Sequence, residues 1–255
     1  MANEVAMKKS AELSTDLMDD ILEFAGEGAA FGADEMQNPF IRALQALSPQ
    51  LNKKKPEYID GAEQGDLFNT VTGQVWKGEE GVTIIPCYQV TKYLEFTPRD
   101  MGGGFRGEIS PTNPVLQQTT RQGSKELLPN GNELVKSDQH YCLVLDGEGS
   151  FQPAVIDMKS TQLKVSRRWK TQIAMQMITP PLFATEWKIT TVEESNDQGS
   201  WFNPSVEKVG LVGERDLMLE AKAFRDSVAA GEAKAVAEES VPTSSSVEQD
   251  DSIPF

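Results

Sequence analysis

Twelve residues hold the densest positive charge in this chain: Lys159, Lys164, Arg167, Arg168 and Lys170, with Trp169 among them. Cations at this density neutralise a run of phosphates, arginine adds bidentate hydrogen bonds, and an indole offers a flat face to any base. That combination suits a single-stranded nucleic acid held by backbone contact and stacking. The same residues also describe a helix with a solvated basic face and Trp169 turned into the core, and both roles stay open to Trp169. A second candidate set lies upstream. Tyr88, Lys92, Tyr93 and Phe96 stand in a β-rich run, and Phe105 and Arg106 border a glycine-rich loop. Each of these aromatics is a base platform or a core residue. The third candidate is the stretch Asp250-Asp251-Ser252-Ile253-Pro254-Phe255. There, acids run into two large apolar side chains and a carboxylate. Pro254 limits the entropy lost on docking, Phe255 suits an apolar pocket, and the carboxylate and acids suit a basic rim.

Enzymatic sets are weaker. Asp157-Met158-Lys159 is an acid-x-Lys pair of the kind that holds Mg²⁺ and a water in restriction-endonuclease-like nucleases, with Asp146 or Glu148 as the upstream acid. Such a triplet is common by chance, and no helix with a convincing metal-binding Glu precedes it. The single histidine, His140, leaves no expected Ser-His-Asp set, and its pairing with Cys142 lacks the partners a zinc site needs. Gly102-Gly103-Gly104 is followed by neither Lys-Ser/Thr nor a helix, which rejects a phosphate-binding P-loop. No catalytic residue, metal or cofactor is expected. The nuclease, and an adaptor that uses its end without touching DNA, are the alternatives.

The net charge of −15 bears on this through its distribution. Residues 1–37 carry −7, residues 226–255 carry −6, and the 188 residues between them only −2. The middle therefore has room for a local basic face. A mean hydropathy of −0.41, with no apolar run near the ~20 residues of a membrane helix, excludes a membrane-spanning helix. The N-terminus does not read as a signal peptide, because acids and Ser/Thr interrupt the apolar residues after Lys8-Lys9. Cys87 and Cys142 sit in strand-like runs and read as buried free thiols of a reducing cytosol.

The elements that must position these groups follow in order. Leu13, Leu17, Ile21 and Phe24 space an acidic amphipathic helix over 11–24; capping, self-association and mobility are all open to this arm. Residues 40–60 hold a brief apolar segment stopped by Pro49, then Lys53-Lys54-Lys55, a solvated loop or a phosphate contact. Strands begin near Gly65. The run GVTIIPCYQVTKYLEFTPR predicts one long strand, with Ile84, Tyr88, Val90, Lys92, Leu94 and Phe96 on one face and Ile85, Cys87, Gln89, Thr91, Tyr93 and Glu95 on the other. Residues 99–138 read as a long excursion outside the core. A hairpin follows, strands 140–145 and 151–158. Next comes a helix capped by Ser160, with Leu163, Trp169, Ile173 and Met177 inward, and Pro180-Pro181 ends it. Trp76 and Trp201 lean towards the core. Two more strands precede a last helix with Leu217, Ala221 and Phe224 inward, then a Ser-rich acidic tail.

Strand, strand, strand, helix, strand, strand is the order of the five-stranded OB barrel. The expected fold is mainly β: an OB-fold-like barrel with one inserted helix, flanking helices and a disordered acidic tail. Its expected parts are an arm over 1–37, a domain over 38–230 and a tail over 231–255.

Two resemblances join this reading. The ending DDSIPF resembles the C-terminal tip of bacterial-type single-stranded DNA-binding proteins, which recruits replication and repair enzymes. The stretch PFIRALQALSPQ and the segments EYIDGAEQGDLFNTVTGQVW, IIPCYQVTKYLEF and STQLKVSRRW resemble proteins of tailed bacteriophages, over about residues 38–190. Some of that group look like OB-fold single-stranded DNA-binding proteins. The resemblance implies a replication, recombination or repair protein in the bacterial host cytoplasm, with single-stranded DNA and phage or host enzymes as partners. Bacterial bearers of such a tip are shorter and lack this N-terminal region, so their tetrameric assembly does not carry over.

Overall fold

The computed structural model describes residues 23–24, 28, 38–147, 150–176, 179–197 and 199–233. The helix expected over 11–24 lies outside them except at its end, and the acidic tail and tip lie outside them almost entirely. Met1–Met36 is a unit of its own, and the unit that starts at Gln37 is the one whose architecture follows.

It is mainly β. Strands β1 (Ile41–Ala43), β2 (Leu67–Asn69) and β3 (Val75–Trp76) form a small antiparallel sheet. β4 (Val82–Phe96) is followed by the short β5 (Phe105–Ile109), β6 (Thr120–Gln122) and β7 (Lys125–Leu127), then β8 (Glu133–Leu145) and β9 (Phe151–Lys159). Helix α1 (Leu163–Ala174) precedes β10 (Thr185–Asn196) and β11 (Gly199–Leu211), and α2 (Arg215–Ala230) ends the described chain. The pairings give the antiparallel order β9-β8-β4-β10-β11. β5 lies beside the far end of β4, and the β6–β7 hairpin lies beside the start of β8.

The expected closed five-stranded barrel is not formed by strand pairing among the described residues. β9 and β11 do not pair, because residues 39–45 occupy the space between them. Val155 N donates to the Pro39 carbonyl at 2.8 Å, and Phe40 bridges Val155 in parallel. On the other flank, Gln45 Nε2 donates to the Phe202 carbonyl at 2.8 Å and Phe202 N donates to Gln45 Oε1 at 2.9 Å. The segment read as a brief apolar stretch is thus core: Phe40, Ile41 and Leu44 are all buried.

The long strand exists, but its faces differ from simple alternation. A bulge between Pro86 and Tyr88 puts one extra residue opposite β8. Proline has no N–H for the ladder, so a bulge is where a central strand tolerates it. Ile84 pairs with Val144, whereas Tyr88 pairs with Tyr141. Ile84 therefore joins the inner core of Cys142, Val144, Ala154, Ile156, Met158, Trp169, Trp187 and Ile189. Tyr88 and Val90 join Phe40, Tyr141 and Val155 on the opposite face, which α2 covers with Phe224 and Val228. Ala221 and Leu217 of α2 seal Ile85, Cys87 and Leu143 as expected.

β8 starts seven residues earlier than its sequence suggested. Lys136, Ser137, Asp138 and Gln139 look like loop, yet the last three are buried, since strand pairing on both sides satisfies their backbone. Ser160 is not a side-chain cap. It takes a left-handed φ of 47° at the turn from β9 into the helix, and Gln162 Oε1 accepts from Lys159 N instead.

Candidate nucleic-acid interface

Helix α1 presents two faces. Ser166 and Trp169 are buried against the inner core, with Val165 and Ile173 packed beside them, while Lys164, Arg167 and Arg168 are exposed. Trp169, only 1% exposed, stacks on His140 at 4.4 Å and meets the edge of Trp187 at 5.7 Å. At this exposure the indole is packed in the inner core, the other role the sequence left open to it.

The cations of the cluster are not equivalent. Lys170 Nζ donates to Asp138 Oδ2 at 2.6 Å, Lys164 pairs with Glu194 at 2.6 Å, and Lys159 pairs with Asp157 at 2.7 Å. Within the cluster, Arg167 and Arg168 have no ion pair among the described residues. Asp138, 2% exposed, also accepts from Thr91 Oγ1 and Ser166 Oγ, both at 2.7 Å. Burial alone would raise its carboxyl, but Lys170, Thr91 and Ser166 outweigh that and bring it to about 2. Ser166 Oγ lies 2.9 Å from His140 Nε2, so serine, histidine and aspartate do meet here. The order is not that of a hydrolase: serine sits between the other two, and all three are buried. Burial holds His140 down to about 3, against the pull of the Asp138 charge. This is a structural network that ties α1 to β8 and β4.

Along β4, Tyr88 is half-buried and packs against Phe40, Tyr141 and Val155 on the α2 side. Lys92 pairs with Glu108 on β5 at 2.8 Å. Tyr93 lies half-buried opposite Lys136 on β8 and Ile109 on β5. Phe96 and Phe105 meet with ring centroids 5.5 Å apart. Arg106 is exposed, and its Nε donates to Thr97 Oγ1 at 2.6 Å. Gly102–Gly104 fold into a tight turn at positive φ, with Gly103 N bound to the Pro98 carbonyl and Thr97 N to that of Gly104, both at 2.9 Å.

That turn forms one lip of a cleft of about 660 Å³. The floor is the start of β8 and the end of β9, with Val135, Asp157 and Lys159. The second lip is the start of β11, Trp201 to Pro204, and the third is the 41–50 segment with Arg42. Phe96 and Arg99 face it from the turn. Arg42 lies over the Phe40 ring at 4.9 Å, and neither Arg42 nor Arg99 has an ion pair among the described residues. Of the predicted site residues, the cleft collects Phe96 and Lys159. Arg42, Arg99 and Trp201 were not foreseen. Trp201, expected in the core, lines this opening, and its Nε1–H has no acceptor among the described residues. The turn WKITTVEESNDQGSWFN, an aromatic beside a hairpin tip, was the available signal for it.

Of the nuclease carboxylates, Asp146 and Asp157 are not brought together, and Glu148 lies outside the described residues. Asp146 caps the β8–β9 turn and bonds Ser150, while Asp157 lies six residues along β9 from Phe151, about 20 Å of extended chain. Asp157 is already held by Lys159 and by the Ser137 hydroxyl. No group of three or more His, Cys, Asp or Glu able to hold a metal occurs among the described residues. Both thiols are free and buried; burial pushes Cys87 up to about 12 and Cys142 well above the usual range. No helix among the described residues is long and apolar enough to cross a membrane. The partner-binding candidates Asp250, Asp251, Ile253, Pro254 and Phe255 lie outside the described residues.

A family model for the Pam3 phage gp34-like protein matches residues 8–234, and the chain belongs to that phage family. No curated protein matches it, and no solved structure does.

Proposed function

We propose that this member of the Pam3 phage gp34-like family is a sequence-independent single-stranded DNA-binding protein. The observation that carries the reading is the position of the cleft. With β4, β8, β9, β10 and β11 taken as the first to fifth strands, the pairs first–second, second–third, first–fourth and fourth–fifth are those of an OB fold. The helix lies between the third and fourth strands, and residues 39–45 stand in for the closing third–fifth pair. OB folds bind oligonucleotides on strands two and three, between the first–second and fourth–fifth loops. The cleft is bounded by the corresponding parts.

Arg42 and Arg99 supply phosphate contacts, and Phe96 and Trp201 supply apolar faces for bases. Lys159 is balanced by Asp157 at 2.7 Å. The cleft thus holds few free cations, and binding rests on stacking more than the basic cluster suggested. The acidic tip would recruit replication, recombination or repair enzymes in the bacterial host cytoplasm.

The test is fluorescence anisotropy of a labelled oligo-dT with a duplex control and a salt titration. Two free arginines predict a slope of log affinity against log salt of about −1.4 for a short oligonucleotide. Phe96→Ala and Arg99→Ala should each weaken binding about tenfold, at 1–3 kcal/mol per stacked base. Absence of binding at low salt, or equal binding of duplex, overturns the reading. Loss of the oligonucleotide with Mg²⁺ that stops in Asp157→Ala would establish the nuclease instead.

A further inference from the structure

We propose that the bound single strand leaves the cleft across Pro204 into a second groove, between α1 and the β10–β11 ribbon, where Arg168 and Arg167 hold its phosphates. The inference rests on the single-strand reading and extends it to a longer path. The second groove, about 410 Å³, is bounded by Lys164, Arg168 and Gln172 of α1, by Val192, Pro204 and Val206 of the ribbon, and by the carboxylates of Glu194 and Glu207. Pro204 lines the cleft as well, so the two openings share a wall. At that shared rim, Thr161 Oγ1 donates to Asn203 Oδ1 at 3.1 Å and ties the start of the helix to β11.

The chemistry of the groove fits one nucleotide. Its volume falls within the ~300–1,000 Å³ range of small-ligand sites. Val192 is 45% exposed although it sits mid-strand, and it offers an apolar surface against which a base can lie. Gln172 offers both a donor and an acceptor. At the mouth, Lys164 is neutralised by Glu194, which leaves Arg168 to meet a phosphate. Arg167, its neighbour on the exposed side of α1, is likewise without an ion pair among the described residues. In a chain of net charge −15, two adjacent arginines without an ion pair among the described residues, beside a groove that shares Pro204 with the cleft, are a phosphate track.

The path makes affinity depend on strand length in a way the cleft alone does not. The experiment uses the full chain with oligo-dT of about 5 and about 20 nucleotides, lengths that bracket one OB site. Salt titrations are run on the native protein, on the double variant Arg167→Ala/Arg168→Ala, and on Arg215→Ala, an exposed arginine on α2. In the native protein the short strand should give a slope of about −1.4 and the long strand about −2.8, for two and four neutralised phosphates. The double variant should bring the long-strand slope back to about −1.4 with about tenfold weaker binding, and leave the short strand within about twofold. Arg215→Ala should leave both unchanged. Equal losses at both lengths, no loss at either, or the same effect from Arg215→Ala would overturn the second groove while the cleft stands. No binding at either length would overturn the single-strand reading itself and this path with it.

Discussion

At the scale of single residues, a through-space partner decides what each charged group can do. Lys159, Lys164 and Lys170 look alike in the chain, yet each faces a carboxylate within 2.7 Å, and only the two arginines between them remain available. The same reasoning assigns the buried serine, histidine and aspartate. His140 is held neutral down to about pH 3, against about 6.5 unfolded. Its folded value is depressed, so the unfolded state takes up the proton first and stability falls as pH drops below about 6.5. Asp138, brought to about 2 from 3.8, adds its loss only below about pH 4. Between pH 4 and 6.5 the slope therefore reports His140, at up to about 1.4 kcal/mol per pH unit. Urea unfolding across that window should show it. In His140→Gln the slope should flatten, although the variant starts less stable because it loses the stack on Trp169. An unchanged slope would mean that other groups carry the acid sensitivity.

At the scale of elements, the β10–β11 ribbon matters most, because it carries Trp201 and walls both openings. Only Trp187 to Ile189 of β10 pair with β4. Beyond that point the ribbon is held by a loop: Thr191 N donates to the Gly78 carbonyl at 2.9 Å, and Thr191 Oγ1 donates to that of Gly65 at 2.6 Å. Gly78 has no room for a side chain, since a Cβ there would run into the Gly65 carbonyl oxygen and Thr191 Oγ1. Gly78→Ala should destabilise the protein by about 1–3 kcal/mol, as overpacking does, and weaken oligo-dT binding beyond what the stability loss explains. Native stability with native binding would show that the loop yields freely and does not hold the ribbon.

At the scale of the whole molecule, charge is segregated: residues 226–255 carry −6 and the middle is nearly balanced. An acidic tail on the same chain as unpaired arginines competes with phosphate for them. Removal of residues 232–255 should tighten oligo-dT binding about two- to tenfold at low salt, and the gain should vanish as screening shortens the reach of the charges. Equal affinity of the truncated and full chains at low salt would rule this competition out.

The sequence by itself determined what depends on near neighbours. The long strand from Val82, the hairpin around Asp146-Gly147, the helix that carries the basic cluster, and the inward Leu217, Ala221 and Phe224 of α2 were all legible, because period and turn chemistry act over a few residues. Tertiary structure decided the rest. Gln45 and Phe202 stand 157 residues apart where the seam is filled, Lys170 and Asp138 stand 32 apart, and Lys164 and Glu194 stand 30 apart. No periodicity encodes such pairs. The bulge at Cys87, which sends Tyr88 under α2, is one inserted residue that reverses every face after it. Hence Trp169 went to the core, Tyr88 packed half-buried beneath α2, Trp201 came to the cleft, and Arg42, Arg99, Arg167 and Arg168 are among the cations without an ion pair among the described residues.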